Sequence, residues 1–241
     1  MLFEKIKKLL KLLPHKLYRG ALFNYGVAPV IDHEKLLKRS YYKTIVDIGA
    51  NKGQFALVSR YCFPEAKIIS FEPLPAPAKI FNKVFKDDKN TTLHNVAIGP
   101  KEEKTTIHIS QSDDSSSLLP ISDLQEEIFP GTREVGTTTI DVAPLDRLLT
   151  KIDIKSPALL KLDVQGFELD ALIGCETLLY SFDSIYCECS FVELYSEQKM
   201  ASDIIAWLHK RGFILEGAYN MSYDDKGQAV QADFMFKSNL E

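Results

Sequence analysis

The stretch Thr44–Phe55, Thr-Ile-Val-Asp-Ile-Gly-Ala-Asn-Lys-Gly-Gln-Phe, limits the fold of this chain more than any other. Thr44 to Ile48 is short, β-branched and almost wholly apolar. A run without polar–apolar alternation reads as a strand covered on both faces. Gly49 to Gly53 then holds two glycines around a tight turn, and Gln54 to Tyr61 places Phe55, Leu57, Val58 and Tyr61 at helical spacing. A buried strand that turns sharply into a helix is the opening unit of a parallel α/β sheet.

The same alternation continues along the chain. Lys67–Phe71 reads as a second buried strand, ended by Glu72 and Pro73, and Pro75 and Pro77 open a helix through Phe85, where proline is tolerated in the first turn. Thr91–Ile98 is expected as a third strand, Thr105–Ile109 as a hairpin or edge strand, and Thr137–Val142 as another, with a short helix at Pro144–Leu149. Ala158–Val164 is a strongly apolar strand followed by a helix over Glu168–Tyr180. Ser184–Ser190 is a strand and Ser196–Arg211 a helix. Phe213–Tyr219 and Ala232–Lys237 close the chain as strands with no helix between them. The expected fold is a doubly wound, mostly parallel seven-stranded α/β sheet with one antiparallel strand at its end. Residues 1–40 form a helical appendage and residues 41–241 the main domain.

The 241 residues suit one such domain. An apolar share of 45% argues against disorder, and a formal charge of −4 gives no general attraction to nucleic acid. Cys62, Cys175, Cys187 and Cys189 lack zinc or disulfide spacing and read as buried reduced thiols, hence a cytoplasmic protein. No run of eighteen apolar residues suggests a membrane span. Met1–Phe23 carries Lys5, Lys7, Lys8, Lys11, Lys16 and Arg19 against Glu4, with Leu2, Phe3, Ile6, Leu9, Leu10 and Leu13 at helical spacing up to Pro14. This basic amphipathic helix reads as packed on the main domain with solvated lysines. Peripheral contact with an anionic membrane is the other reading. That helix and the exposed edge elements are compatible with a homodimer.

Ligands of doubly wound sheets bind beyond the carboxyl ends of the strands. Gly49 and Gly53 let a ligand approach backbone N–H groups at a helix start, and Asn51 tolerates the left-handed conformation between them. Glu72, 25 residues beyond Asp47, is placed to accept ribose hydroxyls. Together these point to a nucleoside-type ligand. The full Gly-x-Gly-x-x-Gly of a nicotinamide site is absent. S-adenosylmethionine has no pyrophosphate to cradle, and a carboxylate such as Asp47 suits the amino group of its methionine half.

Five blocks then show a resemblance. Thr44–Phe55 resembles the first motif of class I methyltransferases of the FkbM family. Ser70–Pro73 resembles that family's ribose motif, Asn95–Gly99 its third-strand segment and Ser115–Leu118 its serine-rich loop. Leu160–Gly174 resembles its Asp-x-x-Gly-x-Glu signature, here Asp163, Gly166 and Glu168. The blocks follow family order. The resemblance implies an S-adenosylmethionine-dependent O-methyltransferase acting on a hydroxyl of a sugar, glycan or natural product. It implies that Gly49, Asn51 and Gly53, with Ala50 and Phe55 of the same block, lie at the methionine side. Glu72 and Pro73 would lie at the ribose, Asn95, Val96 and Ala97 near adenine, and Asp163 and Gln165 beside the methyl. No acidic residue stands near Asn95–Gly99, so adenine would be read by backbone or by Asn95.

A hydroxyl acceptor benefits from a general base or a metal. Asp163, Glu168 and Glu188 are the catalytic candidates, with Glu193 behind them. Asp163 and Glu168 are also a candidate pair for a divalent cation such as magnesium. Glu168 is equally a residue that charges the first turn of its helix. His94 and His108 read as structural, and Trp207 as core packing. Asp113, Asp114 and Ser115–Ser117 suggest a flexible lid. Two other functions compete: a nicotinamide-dependent oxidoreductase, which lacks its third glycine here, and a non-catalytic nucleoside-binding module, which would not need these acids.

Overall fold

A computed structural model describes residues 12–239. A helix α1 (Lys16–Tyr25), a 3-10 turn (Ile31–His33) and a short helix α2 (Glu34–Leu37) precede the sheet. The chain then runs β1 (Thr44–Ile48), α3 (Gln54–Cys62), β2 (Lys67–Phe71), α4 (Pro75–Val84), β3 (Thr91–His94) and β4 (Ala97–Ile98). It continues through β5 (Glu103–Ser110), α5 (Asp123–Ile128), β6 (Glu134–Ala143), β7 (Ala158–Leu162), α6 (Glu168–Gly174), β8 (Ser184–Ser190), α7 (Ala201–His209), β9 (Phe213–Tyr223) and β10 (Ala229–Ser238).

Seven strands form one sheet in the order β3-β2-β1-β7-β8-β10-β9. Pairings are parallel from β3 through β8, and β10 is antiparallel to both β8 and β9. All five residues of β1 and all five of β7 are buried, Asp47 and Lys161 among them, as strands covered on both faces require. The strand order reverses between β1 and β7, so a crevice opens beyond their carboxyl ends. One core lies on one face, where Val46, Leu160 and Ile185 meet Leu172, Leu179 and Leu208. Each fully buried side chain of this kind stabilises the fold by about 1.5–3 kcal/mol. The other face packs Ile45, Ile68 and Leu159 against α3 and against Tyr18, Ala21, Leu36 and Leu37 from the N-terminal helices. Residues 1–11 of the amphipathic helix expected at the N-terminus lie outside the described residues.

Several local expectations are corrected. The third strand stops at His94, because the chain leaves the main sheet at Asn95. Ala97–Ile98 instead opens a separate three-stranded sheet of order β4-β6-β5, which also takes the expected edge strand. Pro144–Leu149 is a single 3-10 turn at Leu145–Arg147. The helix expected over Glu168–Tyr180 ends at Gly174, where Gly99 lies against it. A Cβ on Gly174 would stand 2.4 Å from the Gly99 carbonyl oxygen, and the chain continues as a 3-10 turn over Glu176–Ser181. The last helix begins at Ala201 rather than Ser196. Among the described residues no helix is long and apolar enough to cross a membrane, and the four cysteines are unpaired.

Candidate active site

The turn after β1 is built around Gly49. Its φ is +81°, and a Cβ there would sit 1.8 Å from the Asp163 carbonyl oxygen, so only glycine lets the ends of β1 and β7 close together. Asn51 follows at φ 46°. Glu72, at the end of β2, reaches across to this turn: Oε2 accepts from the Asn51 N–H at 2.9 Å and Oε1 from the Leu74 N–H at 2.8 Å. Burial pushes its carboxyl up to about 7, against the two N–H groups that favour its charge. One carboxylate therefore ties the β1 and β2 loops together and keeps lone pairs for a ligand.

These loops open into a cleft of about 1020 Å³, counted to its open mouth. Gly49, Ala50, Asn51, Phe55, Glu72, Pro73, Val96, Ala97, Asp163 and Gln165 line it. Phe71, Leu74, Ile98, Ile107 and Phe167 add an apolar wall. Leu118, Ser117 and Ser116, with Asp113 and Asp114, cross the mouth. Ser117 Oγ donates to the Gln165 carbonyl at 2.6 Å, and Lys52 pairs with Asp113. The stretch expected as a flexible lid is thus tied to the β1 and β7 loops.

The other half of the cleft is a buried polar network that follows from strand register. Ser70, Asp47, Lys161 and Tyr186 stand opposite one another on β2, β1, β7 and β8, so they share one face of the sheet. Lys161 Nζ lies 3.3 Å from Asp47 Oδ1, 3.5 Å from Asp163 Oδ2 and 3.3 Å from the Gly49 carbonyl. Burial alone would strip its proton. The carboxylates of Asp163 and Asp47 outweigh that and hold the ammonium above its ordinary range. Gln165, at φ 55°, is fixed from several sides. Its Nε2 donates to Asp163 Oδ1 at 2.7 Å and to Glu188 Oε2 at 3.0 Å, and its Oε1 accepts from Tyr195 Oη at 2.7 Å. So many partners can hold a non-glycine residue in a left-handed conformation.

Several expected site residues stand elsewhere. Asp47 is fully buried behind the cleft. Its oxygens accept no hydrogen bond among the described residues, since Lys161 faces it as an ion pair off the hydrogen-bonding direction. Gly53 packs on Phe81 and Phe85, where a Cβ would come within 2.6 Å of the Phe85 ring. Asn95 turns away from the cleft and donates to the Glu72 and Pro73 carbonyls at 2.7 and 2.9 Å, fixing the β2 loop. Glu168 Oε1 accepts from the Val164 and Gly166 N–H groups at 3.1 Å each, so it shapes the loop rather than facing a substrate. Burial raises its carboxyl to about 7. Glu188 is held between Gln165 and Gln231 and does not line the cleft. Burial and the nearby carboxylates push it well above the ordinary range. Glu193 is exposed and accepts from the Glu197 N–H. Among the described residues no group of three or more His, Cys, Asp or Glu is placed to hold a metal ion, and Glu168 Oε1 is already taken by two loop N–H groups. His94 stacks on Phe71 and His108 meets Glu134. Trp207 is half-buried, with the Arg211 guanidinium 3.6 Å over its ring.

The sequence reading missed Val30, Lys161 and above all His33, which lies in the turn before α2 and lines the cleft. Lys161 was visible as a lone charge in an apolar strand, a sign of a paired buried group. His33 left no such sign.

The strand order, the antiparallel pair at one edge and the cleft at the β1–β7 switch point define a Rossmann-like class I methyltransferase fold. A Klebsiella pneumoniae structure described as an O-methyltransferase shares it, at TM-score 0.50 and 12% identity over 94% of this chain and 91% of that one. A model of the methyltransferase FkbM domain matches residues 47–215, and the chain belongs to that family. It is 29% identical to the 2-O-methyltransferase NoeI of Sinorhizobium fredii over 64% of this chain and 66% of that protein. It is 27% identical to the hexuronic acid methyltransferase AglP of Haloferax volcanii over 70% of this chain and 68% of that protein. The matched segment thus spans slightly under two thirds of NoeI.

Proposed function

We propose that this protein transfers the methyl group of S-adenosylmethionine to a hydroxyl of a sugar or glycan. The cleft carries the reading. It joins a glycine turn at the end of β1, a buried carboxylate at the end of β2 and an apolar wall, as a nucleoside with a charged amino-acid tail requires. The Asn51 Oδ1 has no partner among the described residues, although it lies buried at the cleft. An acceptor left without a donor in a folded protein is a place where a ligand donor fits.

When bound, the cofactor supplies an electrophilic methyl group. Glu72 would accept the ribose hydroxyls, and the buried Asn51 Oδ1 would accept from a donor of the bound cofactor. Val96, Ala97 and the apolar wall would enclose adenine. Asp163, kept near Lys161 and Gln165, would face the methionine amino group with Gln165 setting its angle. Placing donor and acceptor in one dry cleft contributes much of the rate in such transfers. The sugar acceptor is supported by the activities named for NoeI and AglP and by a cleft rim of serines and carboxylates that suits hydroxyl donors. A cytoplasmic location and a homodimer accompany this proposal.

Incubation with S-adenosylmethionine and a pool of methyl α- and β-D-hexopyranosides tests it. Formation of S-adenosylhomocysteine together with an O-methyl hexoside is expected. Release of S-adenosylhomocysteine on an amine or nucleic-acid pool, with none on the glycosides, would overturn the acceptor class.

A further inference from the structure

His33 enters the cleft from a segment that precedes every motif above. It is 16% exposed, and three elements surround its Nδ1. Tyr186 Oη on β8 lies at 2.9 Å, Asn220 Nδ2 on β9 at 3.1 Å and Asp233 Oδ2 on β10 at 3.6 Å. Asn220 Nδ2 also donates to Asp233 Oδ2 at 2.8 Å. The ring stands edge-on to Phe55 and Tyr186, with centroids 5.6 Å away in both cases. Its Nε2 makes no hydrogen bond among the described residues.

A carboxylate beside one imidazole nitrogen keeps the proton on that nitrogen and leaves the lone pair on the other. With the two Asn220 amide hydrogens directed to Asp233 Oδ2 and, at 3.2 Å, to Tyr186 Oη, Nδ1–H donates to Tyr186 Oη, whose hydroxyl is directed to Asp233. The remaining acid–base groups on the cleft are otherwise engaged. Lys161 is paired with Asp47 and Asp163, Asp163 accepts from Gln165, Glu72 holds the β1 and β2 loops, Asp113 is paired with Lys52 and Asp114 accepts from the Ser112 hydroxyl. Resting on the methyl-transfer reading, we propose that His33 is the general base that takes the proton of the acceptor hydroxyl. Tyr186 and Asp233 act behind it as positioning residues.

The hydroxyl proton moves to Nε2. The oxygen uses the electron pair of the broken O–H bond to form the bond to the methyl carbon, and the pair of the broken carbon–sulfur bond stays on sulfur. The imidazolium that results faces Asp233, and its extra proton leaves to solvent after turnover. Burial and Lys161 lower the histidine's affinity for a proton, while Asp233, Asp163 and Asp32 raise it; burial prevails, so the ring rests neutral with its lone pair free.

The test uses the intact protein and His33→Asn, whose amide replaces Nδ1 toward Tyr186 but offers nothing at Nε2. Nitrogen-15 NMR of the imidazoles, assigned with the variant, is expected to show His33 neutral at pH 7 with the proton on Nδ1. A proton on Nε2, or a charged ring, overturns the proposal. With the methyl hexopyranoside pool as acceptor, single-turnover methylation by His33→Asn is expected to fall about 10²–10³-fold. The residual rate should rise about tenfold per pH unit, as hydroxide replaces the lost base, and S-adenosylhomocysteine affinity should stay within about twofold. A parental rate and pH profile in the variant overturns the proposal. So does a large loss of S-adenosylhomocysteine affinity, which would assign His33 to the cofactor. If the parent binds S-adenosylhomocysteine but methylates no glycoside, the acceptor reading fails and the NMR tautomer alone decides the role of His33.

Discussion

The two sides of the cleft are built by different means. On the β1–β2 side the contacts run from one side chain to the backbone of adjoining loops: a glycine turn, Glu72 tying Asn51 to Leu74, and Asn95 fixing the Glu72 and Pro73 carbonyls. On the β7–β8–β10 side they are long-range and made by side chains. His33, Asp47, Lys161, Tyr186, Asn220 and Asp233 meet only because the sheet brings five strands and the turn before α2 together. The first design suits a rigid receptor for one ligand. The second can be changed residue by residue, which is what a family with a common cofactor and differing acceptors requires.

Lys161 is the joint between the two sides, so it offers the largest break. Lys161→Met leaves Asp47 buried without a counter-charge and is expected to cost about 3–5 kcal/mol, read by urea unfolding. Adding Asp47→Asn should recover much of that loss. If the single variant lost cofactor binding without losing stability, the two sides would not share this joint. Gly49→Ala comes next. Its new Cβ falls on the Asp163 carbonyl in a backbone region that disfavours side chains, an expected loss of about 2–4 kcal/mol with cofactor affinity falling in parallel. Thermal unfolding and calorimetry together would show whether stability and binding move as one.

Glu72→Gln sharpens the comparison without straining the fold. It removes a charged acceptor and is expected to weaken cofactor binding by about 1.5–3 kcal/mol, roughly 10- to 100-fold. The parent adds a pH signature. Its Glu72 carboxyl titrates near pH 7, so affinity should fall as pH drops below that value and the carboxylate is protonated, while Glu72→Gln should be flat there. The same group is an acid with a raised value in the folded state, so its contribution to stability declines between about pH 4.5 and 7 as pH rises. The smallest effect is expected from Lys52→Ala, which removes a half-exposed ion pair across the cleft mouth. It should change stability by less than about 1 kcal/mol and cofactor affinity by less than about threefold.

This contrast also explains what the sequence revealed. The mostly parallel sheet and the cleft-lining β1 and β2 loops were legible because β1 with its turn, and β2 with Glu72, are contiguous stretches whose residue types carry their own geometry. Asp47 was read as a partner for the cofactor's amino group and Glu188 as a catalytic candidate, but a buried carboxylate at a strand end gives no direction. Register turned Asp47 behind the cleft and set Glu188 between two glutamines. Glu168 was read equally as an acid for chemistry and as a charge on its helix's first turn, and its Oε1 accepts from two loop N–H groups. His33 was illegible because its partners lie on β8, β9 and β10, and nothing local marks it. The exit at Asn95 was missed because an apolar run continues past it, while the side chain that turns there bonds only to carbonyls of the β2 loop.

Calorimetric titration with S-adenosylhomocysteine, run side by side on the parent, Glu72→Gln and His33→Asn, tests the division most directly. The account predicts binding by the parent, a loss of about 10- to 100-fold for Glu72→Gln and less than about twofold change for His33→Asn. Equal losses for both variants, or a loss confined to His33→Asn, would contradict it.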